Sequence, residues 1–329
     1  MTTTLPIHAT VLARVEEAQD IVSFELAAAD GAALPPFSAG AHIDVHIRPG
    51  LVRQYSLCNE PAERHRYQIA VLRDPCSRGG SRALHDALRV GDTLQISAPR
   101  NHFPLVQAPR YLLFAGGIGI TPILCMAERL AQAGAAFTMH YCTRTPERTA
   151  FRARIAAASF AGKVHFHCSG DPVDAANPPG TRLDLAAALG EAPADTHLYV
   201  CGPAGFIEAV TGAARTLGWS ADRIHVEHFG AAPVADGADG ADAPFEVRIA
   251  SSGQQLAIPA GQSVTRVLEA SGIAIPVSCE QGVCGTCLTR VLDGEIDHRD
   301  HYLTDEEKAA NDQFTPCCSR GRGVLVLDL

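Results

Sequence analysis

The chain has 329 residues, enough for two or three domains, and its 47% hydrophobic and 19% charged residues are the balance of a globular protein. A formal net charge of −9 argues against nucleic-acid binding, which calls for a basic face. Eleven cysteines, an odd number spread over a chain this long, do not make the dense and even framework of a small disulfide-stapled domain.

"MTTTLPIHATVLARV" has no basic segment followed by an apolar run, so no secretory leader is expected. The longest near-apolar run, "YLLFAGGIGITPILCMA" at 111–127, falls short of the ~20 residues of a membrane span. Its glycines and Pro122 predict a buried strand, a turn and a helix. A soluble, cytoplasmic protein is expected.

Residues 1–105 are strand-rich. "HATVLARVEEAQDIVSFELAA", "GAHIDVHI" and "YQIAVLR" alternate with period two, and turns fall at Gly31, Gly50 and Gly91-Asp92. An antiparallel β-barrel is predicted. Within it, "RQYSLCN" (53–59) sets an arginine, an aromatic ring and a hydroxyl on neighbouring strand positions. Such a set can meet a phosphate, a flavin face and a flavin edge, although an ordinary barrel strand reads the same way. In "SRGGSRALHDAL" (77–88) two glycines precede a serine at a helix start. Exposed amides there favour a phosphate, and a plain capped helix is the bland alternative. Together the two stretches predict a flavin site.

Residues 106–230 alternate strand and helix, as a doubly wound α/β domain does. In "RYLLFAGGIGITPILCMAERLAQAG" an apolar strand meets a glycine turn and then a helix. The glycines let the backbone approach a pyrophosphate at the helix N-terminus, although Gly116-Gly117-Ile118-Gly119 is not the G-x-G-x-x-G fingerprint. "FTMHYCTRT" and "VHFHC" follow as strands. "THLYVCGPAGFIEAV" then ends a strand at Cys201-Gly202-Pro203 and opens another helix. Both strand ends lie where doubly wound sheets bind ligands.

Residues 231–243 are Ala/Gly/Asp-rich without apolar periodicity, which predicts a linker. It reaches at most about 45 Å extended, or ~20 Å as a coil.

In residues 244–329, "FEVRIASSGQQLAIPAGQSVTRVLEASGI" predicts a hairpin and then a helix over 263–271, with Ser263 as its N-cap. "CLTRVLDGEIDH" predicts a second hairpin turning at Asp293-Gly294, and "GVLVLDL" a closing strand. "PVSCEQGVCGTCLTR" spaces Cys279, Cys284 and Cys287 as C-x4-C-x2-C, the plant-type ferredoxin pattern for a 2Fe–2S cluster. "FTPCCSRGRG" supplies the distant fourth thiol, and spacing alone does not choose between Cys317 and Cys318. Gly282 and Gly285 allow backbone angles that turn amides towards anionic sulfur. Zinc sites more often pair two C-x2-C knuckles or mix Cys with His. No comparable donor spacing surrounds His165 and His167 or His298 and His301, which are expected to be structural or surface residues.

"RQYSL", "GGIGITP", "YVCGPAGF" and "EHFG", in that order, resemble the ferredoxin–NADP reductase superfamily. With a ferredoxin domain fused at the C-terminus, the whole chain resembles the phthalate dioxygenase reductase family. The resemblance implies FMN, usually NADH, and a plant-type 2Fe–2S cluster. It implies that Arg53 meets the FMN phosphate, with Gly80 and Ser81 completing the phosphate contacts. Tyr55, Ser56 and Leu57 would lie along the flavin. Gly116, Gly117, Ile118, Gly119 and Pro122 would line the nicotinamide nucleotide together with Gly202, Pro203 and Phe206. Thr121 and Cys201 would sit near the reacting ring, and Phe229 would cover the flavin. Thr143 and Arg144 would hold the adenosine half. Asp171 would bind a ribose hydroxyl and favour NADH, although the nearby arginines leave NADPH open. Cys279, Cys284, Cys287 and Cys317 would be the iron ligands, with Cys318 a small neighbour.

The implied function is a reductase that takes a hydride from NADH onto FMN and sends single electrons through the cluster to a Rieske-type oxygenase. The chain has no C-x-H pair for a Rieske centre of its own. A free-standing diaphorase or flavin reductase and a redox-sensing iron–sulfur flavoprotein are the alternatives. Residues 244–329 carry twelve acids against seven Lys/Arg, which suggests an acidic face for the acceptor, including Glu280, Glu295, Asp297, Asp300, Asp305, Glu306 and Glu307. A monomer is expected, and the acceptor's substrate leaves no trace in the sequence.

Overall fold

The computed structural model describes residues 6–75, 79–170, 182–230 and 243–329. They fall into two units, Met1–Phe229 and Gly230–Leu329. The linker expected at 231–243 lies outside the described residues apart from Ala243, and so does Asp171.

The alternating stretches near the start form strands β1 (Ile7–Ala18), β2 (Ile21–Ala28), β3 (His42–Arg48), β4 (Leu51–Ser56) and β5 (Tyr67–Leu72), then helix α1 (Gly80–Ala87) and β6 (Thr93–Ile96). They order as β4-β3-β6-β1-β2-β5, all antiparallel. A bridge from Leu57 to Ile69 brings the two outer strands together, closing the barrel. Phe24, Leu26, Ile43, Leu57 and Ile69 fill its interior. Each such burial contributes roughly 1.5–3 kcal/mol.

The second sheet holds β7 (Arg110–Gly116), α2 (Ile120–Gln132), β8 (Ala136–Thr143), α3 (Arg152–Ala157), β9 (Val164–Cys168), α4 (Leu185–Gly190), β10 (Thr196–Cys201), α5 (Ala204–Thr216) and β11 (Ile224–Glu227). Every pairing is parallel, in the order β11-β10-β7-β8-β9. The winding reverses between β7 and β10, which opens a crevice at their carboxyl ends. Barrel residues Ile21, Ala39, Cys58 and Phe103 share one core with Ile123, Leu124, Met126 and Tyr199. The expected boundary at 105/106 falls between β6 and β7, where the sheets share no strand but do share this core.

In the second unit, β12 (Phe245–Ile249) and β13 (Gln255–Ile258) form the expected hairpin, followed by α6 (Val264–Ala270). Ser263 caps that helix by accepting from the Arg266 N–H at 3.4 Å. Next come β14 (Thr289–Asp297), α7 (Asp305–Ala310), β15 (Gln313–Phe314) and β16 (Arg320–Leu327). The sheet runs β13-β12-β16-β14-β15.

The hairpin expected at Asp293-Gly294 does not form. β14 runs straight through with register shifts at Asp293, and β16 pairs with it on both sides. Gly294 takes φ +110, and a Cβ there would stand 2.3 Å from the Val324 carbonyl oxygen. The Asp-Gly signal marks a bulge, where one extra residue bends the strand.

No helix among the described residues is long and apolar enough to cross a membrane.

Candidate functional site

The crevice between β7 and β10 is built by backbone contact. β7 ends at Gly116, a turn of 3-10 helix covers Gly117–Gly119, and α2 begins at Ile120. Gly117 takes φ +54, a left-handed conformation that favours glycine. A Cβ on Gly119 would lie 2.3 Å from the Cys201 carbonyl oxygen. One on Gly202 would lie 2.9 Å from the Gly116 Cα, and one on Gly116 2.8 Å from the Phe206 ring. The two turns therefore touch at glycines, leaving peptide groups to line the crevice, the surface a dinucleotide backbone needs.

Around it, Ile118 is half-buried and Pro203 exposed. Pro122 is buried in the first turn of α2, where its missing N–H is no loss. The buried Thr121 hydroxyl donates to the Ile118 carbonyl at 3.2 Å and so braces the turn. Cys201 is fully buried, and burial, reinforced by Glu227, pushes its thiol well above the ordinary value. It is a neutral thiol. At the end of β8 the buried Thr143 hydroxyl lies 2.8 Å from that of Thr149, Arg144 is exposed, and the Gly170 amide donates to the Arg144 carbonyl at 2.8 Å.

On the barrel, Arg53, Tyr55 and Ser56 lie at the end of β4, with Leu57 just beyond. A Cβ on Gly80 would stand 2.7 Å from the Arg53 side chain, so strand and helix N-terminus meet at one point. Gly79 precedes that helix at φ +97, and the Ser81 hydroxyl accepts the Asp74 N–H at 3.2 Å. Burial keeps the Tyr55 phenol above its ordinary value, hence neutral. The Leu57 side chain is packed into the barrel core, and its N–H donates to the Ala41 carbonyl at 2.8 Å. An arginine and helix amides converging beside an aromatic ring fit a flavin carrying a phosphate.

Strand and crevice meet at Glu227, which the sequence reading passed over. It ends β11 in register with Cys201, and the Ser56 hydroxyl reaches its carboxylate at 3.5 Å. Burial pushes Glu227 up to about 8, partly countered by Ser56. Its signal was a carboxylate closing a parallel strand in "VEHFG", a motif noted only for its phenylalanine. Phe229, two residues on, is 38% exposed at the end of the first unit.

In the second unit, the Cys279 thiol contacts those of Cys284 and Cys317, and Cys317 also contacts Cys287. All four are buried. The Gln281 N–H donates to Cys279 sulfur at 3.3 Å and the Thr286 N–H to Cys284 sulfur at 3.5 Å. The neighbouring thiols, and then the Gln281 and Val283 amides, hold Cys279 well below the usual thiol range despite its burial. Gly282 and Gly285 both have positive φ, and a Cβ would meet the Cys318 sulfur at the first and the Tyr302 ring at the second. Among the described residues no three donors surround the position of one metal ion. Thiols gathered with amides aimed at sulfur fit an iron–sulfur group, and the C-x4-C-x2-C spacing with a distant fourth cysteine is the plant-type binuclear one. The acids of this unit are unevenly available. Asp300 is buried and accepts from the Tyr302 and Leu303 N–H groups, and Asp297 and Glu295 pair with Arg299 and Arg322. Glu307 caps α7, whose first turn carries Asp305 and Glu306 at exposed positions.

His165 and His167 on β9 share a sheet face with His140 on β8, whose Nδ1 lies 3.0 Å from the His167 Nε2. They border a cavity of about 800 Å³ towards the amino ends of the strands, remote from the crevice.

The 2Fe-2S iron-sulfur cluster binding domain family matches residues 247–321, and the oxidoreductase NAD-binding domain family matches 113–212. The chain is 57% identical to a vanillate O-demethylase oxidoreductase of Pseudomonas putida, over 98% of this chain and 100% of that one. A solved phthalate dioxygenase reductase, described as a modular structure for electron transfer from pyridine nucleotides to [2Fe-2S], superposes with TM-score 0.75 and 39% identity over 98% of both chains. An intact type IV self-sufficient cytochrome P450 monooxygenase matches with TM-score 0.81 and 38% identity, over 98% of this chain and 41% of that one. The chain belongs to the phthalate dioxygenase reductase family, the iron–sulfur flavoprotein oxidoreductases that serve as reductase components of oxygenase systems.

Proposed function

We propose that this chain is the NADH-dependent, FMN-containing reductase of a Rieske-type O-demethylase that acts on a methoxylated aromatic acid. One observation carries the reading: the flavin strand and the nicotinamide crevice meet inside a single unit, with Ser56 and Glu227 at the junction. When bound, FMN supplies the conversion of a two-electron hydride into the single electrons an iron–sulfur cluster can pass on. Arg53, Gly80 and Ser81 hold the phosphate end. Tyr55, Ser56 and Leu57 set the ring plane, and Phe229 covers it. Gly116, Gly117, Ile118, Gly119, Thr121, Pro122, Gly202, Pro203 and Phe206 receive the nicotinamide nucleotide, and Thr143, Arg144 and Asp171 its adenosine half. The neutral Cys201 thiol packs beside the reacting ring without adding charge. Cys279, Cys284, Cys287 and Cys317 ligate iron, and their amide donors favour the thiolate form.

The O-demethylase assignment draws on the relative at 57% identity, and the Rieske partner on the family resemblance. We place the protein in the cytoplasm as a monomer, with a flavin barrel at 1–105 and a nicotinamide domain at 106–230 inside one unit, and a ferredoxin domain at 244–329. The ten described cysteines, all free, suit a reducing compartment.

The test is anaerobic titration of the purified protein with NADH, followed by turnover with a vanillate demethylase oxygenase component. Bleaching of flavin and iron–sulfur absorption, followed by vanillate turnover, is expected. Bleaching with no transfer to any oxygenase component would leave a free-standing diaphorase. Transfer to a cytochrome P450 alone would remove the Rieske assignment.

A further inference from the structure

We propose that Arg154 is a positioning residue for hydride transfer, tying the helix behind the nicotinamide turn to the end of the flavin strand. This rests on the placement of flavin and nicotinamide proposed above.

Thr121, Cys125 and Glu128 are spaced along α2 so that they share one face. Thr121 braces the glycine turn, and Glu128 stands two turns further along the same helix. Arg154, on α3, donates from Nε and Nη2 to the Glu128 Oε1 at 2.9 and 2.7 Å. Its Nη1 donates to the Gln68 Oε1 on β5 at 2.6 Å, and Nη2 also donates to the Cys58 carbonyl at 3.0 Å. Cys58 is two residues beyond Ser56. The grip is doubled, because the Cys58 N–H donates to the Gln68 carbonyl at 2.9 Å and the Gln68 N–H to the Asn59 side chain at 2.9 Å. One planar fork therefore meets three elements, using a geometry that a lysine ammonium cannot copy.

Cohesion between barrel and sheet does not rest on this fork alone. The shared apolar core does that work, helped by the Gln19 N–H donating to the Glu147 carbonyl at 2.8 Å and by the Arg148–Asp20 pair at 3.2 Å. What the fork adds is alignment of the strand end against the helix. Hydride transfer is sensitive to alignment: a misplacement of about 1 Å can cost ~100-fold in rate.

The experiment uses holoprotein with flavin and cluster bound, as wild type, Arg154→Met, Arg154→Lys and Gln68→Met. Flavin reduction is followed by anaerobic stopped flow, using NADH and NADH deuterated at the transferred position. Flavin content, iron content and melting temperature are recorded alongside. The limiting rate per bound flavin should fall at least ~10-fold in Arg154→Met, by the alignment argument above, and less in Arg154→Lys and Gln68→Met. The deuterium isotope effect should persist and the NADH dissociation constant should change little. Gln68→Met removes only the barrel-side acceptor, so it decides the matter if Arg154→Met does not fold. Limiting rates within about twofold of wild type in both Arg154→Lys and Gln68→Met would overturn the proposal. So would a loss of rate that vanishes once normalised to bound flavin, which is what a purely structural role predicts. If the wild-type flavin is not reduced by NADH at all, it is the underlying placement of the two cofactors that fails.

Discussion

Three of the four clustered thiols in the second unit come from nine consecutive residues, 279–287, whereas the crevice in the first unit gathers Ser56, Gly116, Cys201 and Glu227 from four strands, β4, β7, β10 and β11. A site held in one loop writes its donor set as spacing. A site made by topology writes almost nothing locally, because its residues meet only after the sheet is wound. The first kind should fail all at once when a donor is removed. The second should weaken by degrees, since many contacts share the alignment.

The sharpest break of that contrast is Cys317→Ser. Iron–sulfur absorption and electron delivery to an oxygenase should be abolished, while NADH-driven ferricyanide reduction by the flavin half continues. Cys318→Ala should keep the cluster. Equal iron loss in both variants, measured by iron content and absorbance, would undo the choice of Cys317. Gly119→Ala comes next. Its Cβ would press on the Cys201 carbonyl, and overpacking of this kind costs about 1–3 kcal/mol. Thermal unfolding should shift down and the KM for NADH should rise, with the cluster spectrum untouched. An unchanged KM would mean that the crevice backbone does not meet the nucleotide.

The smallest expected effect is the pH response of Glu227. Its carboxyl releases a proton near 4.5 in the ordinary state and near 8 when folded. Between these values the folded chain binds more protons, so stability falls as pH rises through that window. Glu227→Gln should flatten the fall, because the amide has no proton to release on leaving its buried position. Melting curves near pH 5 and pH 9 that drop in parallel for both proteins would place the effect elsewhere.

What could be read beforehand follows the same division. The C-x4-C-x2-C spacing, the Ser263 cap and the β12–β13 hairpin are local, and each was legible. The Asp293-Gly294 turn was misread because a bulge and a hairpin share the same dipeptide, and only the partner strand β16 decides between them. Arg154 carried no signal in the sequence, and Glu227 none beyond its place in "VEHFG". Their roles depend on the register of β11 with β10 and on α3 packing beside β5, neither of which any short stretch records.

Burial also governs how the first unit responds to chemical attack. It holds the thiols of Cys58 and Cys142 at about 12, and those of Cys125 and Cys201 well above their ordinary value. A thiol kept protonated is a poor nucleophile. These four sulfurs should therefore resist alkylating agents and quinones under conditions that consume exposed cysteines. These four would also contribute little background to a maleimide dye, which leaves Cys76 and Cys168 as the sulfurs of this unit to replace before a surface cysteine is placed as a reporter.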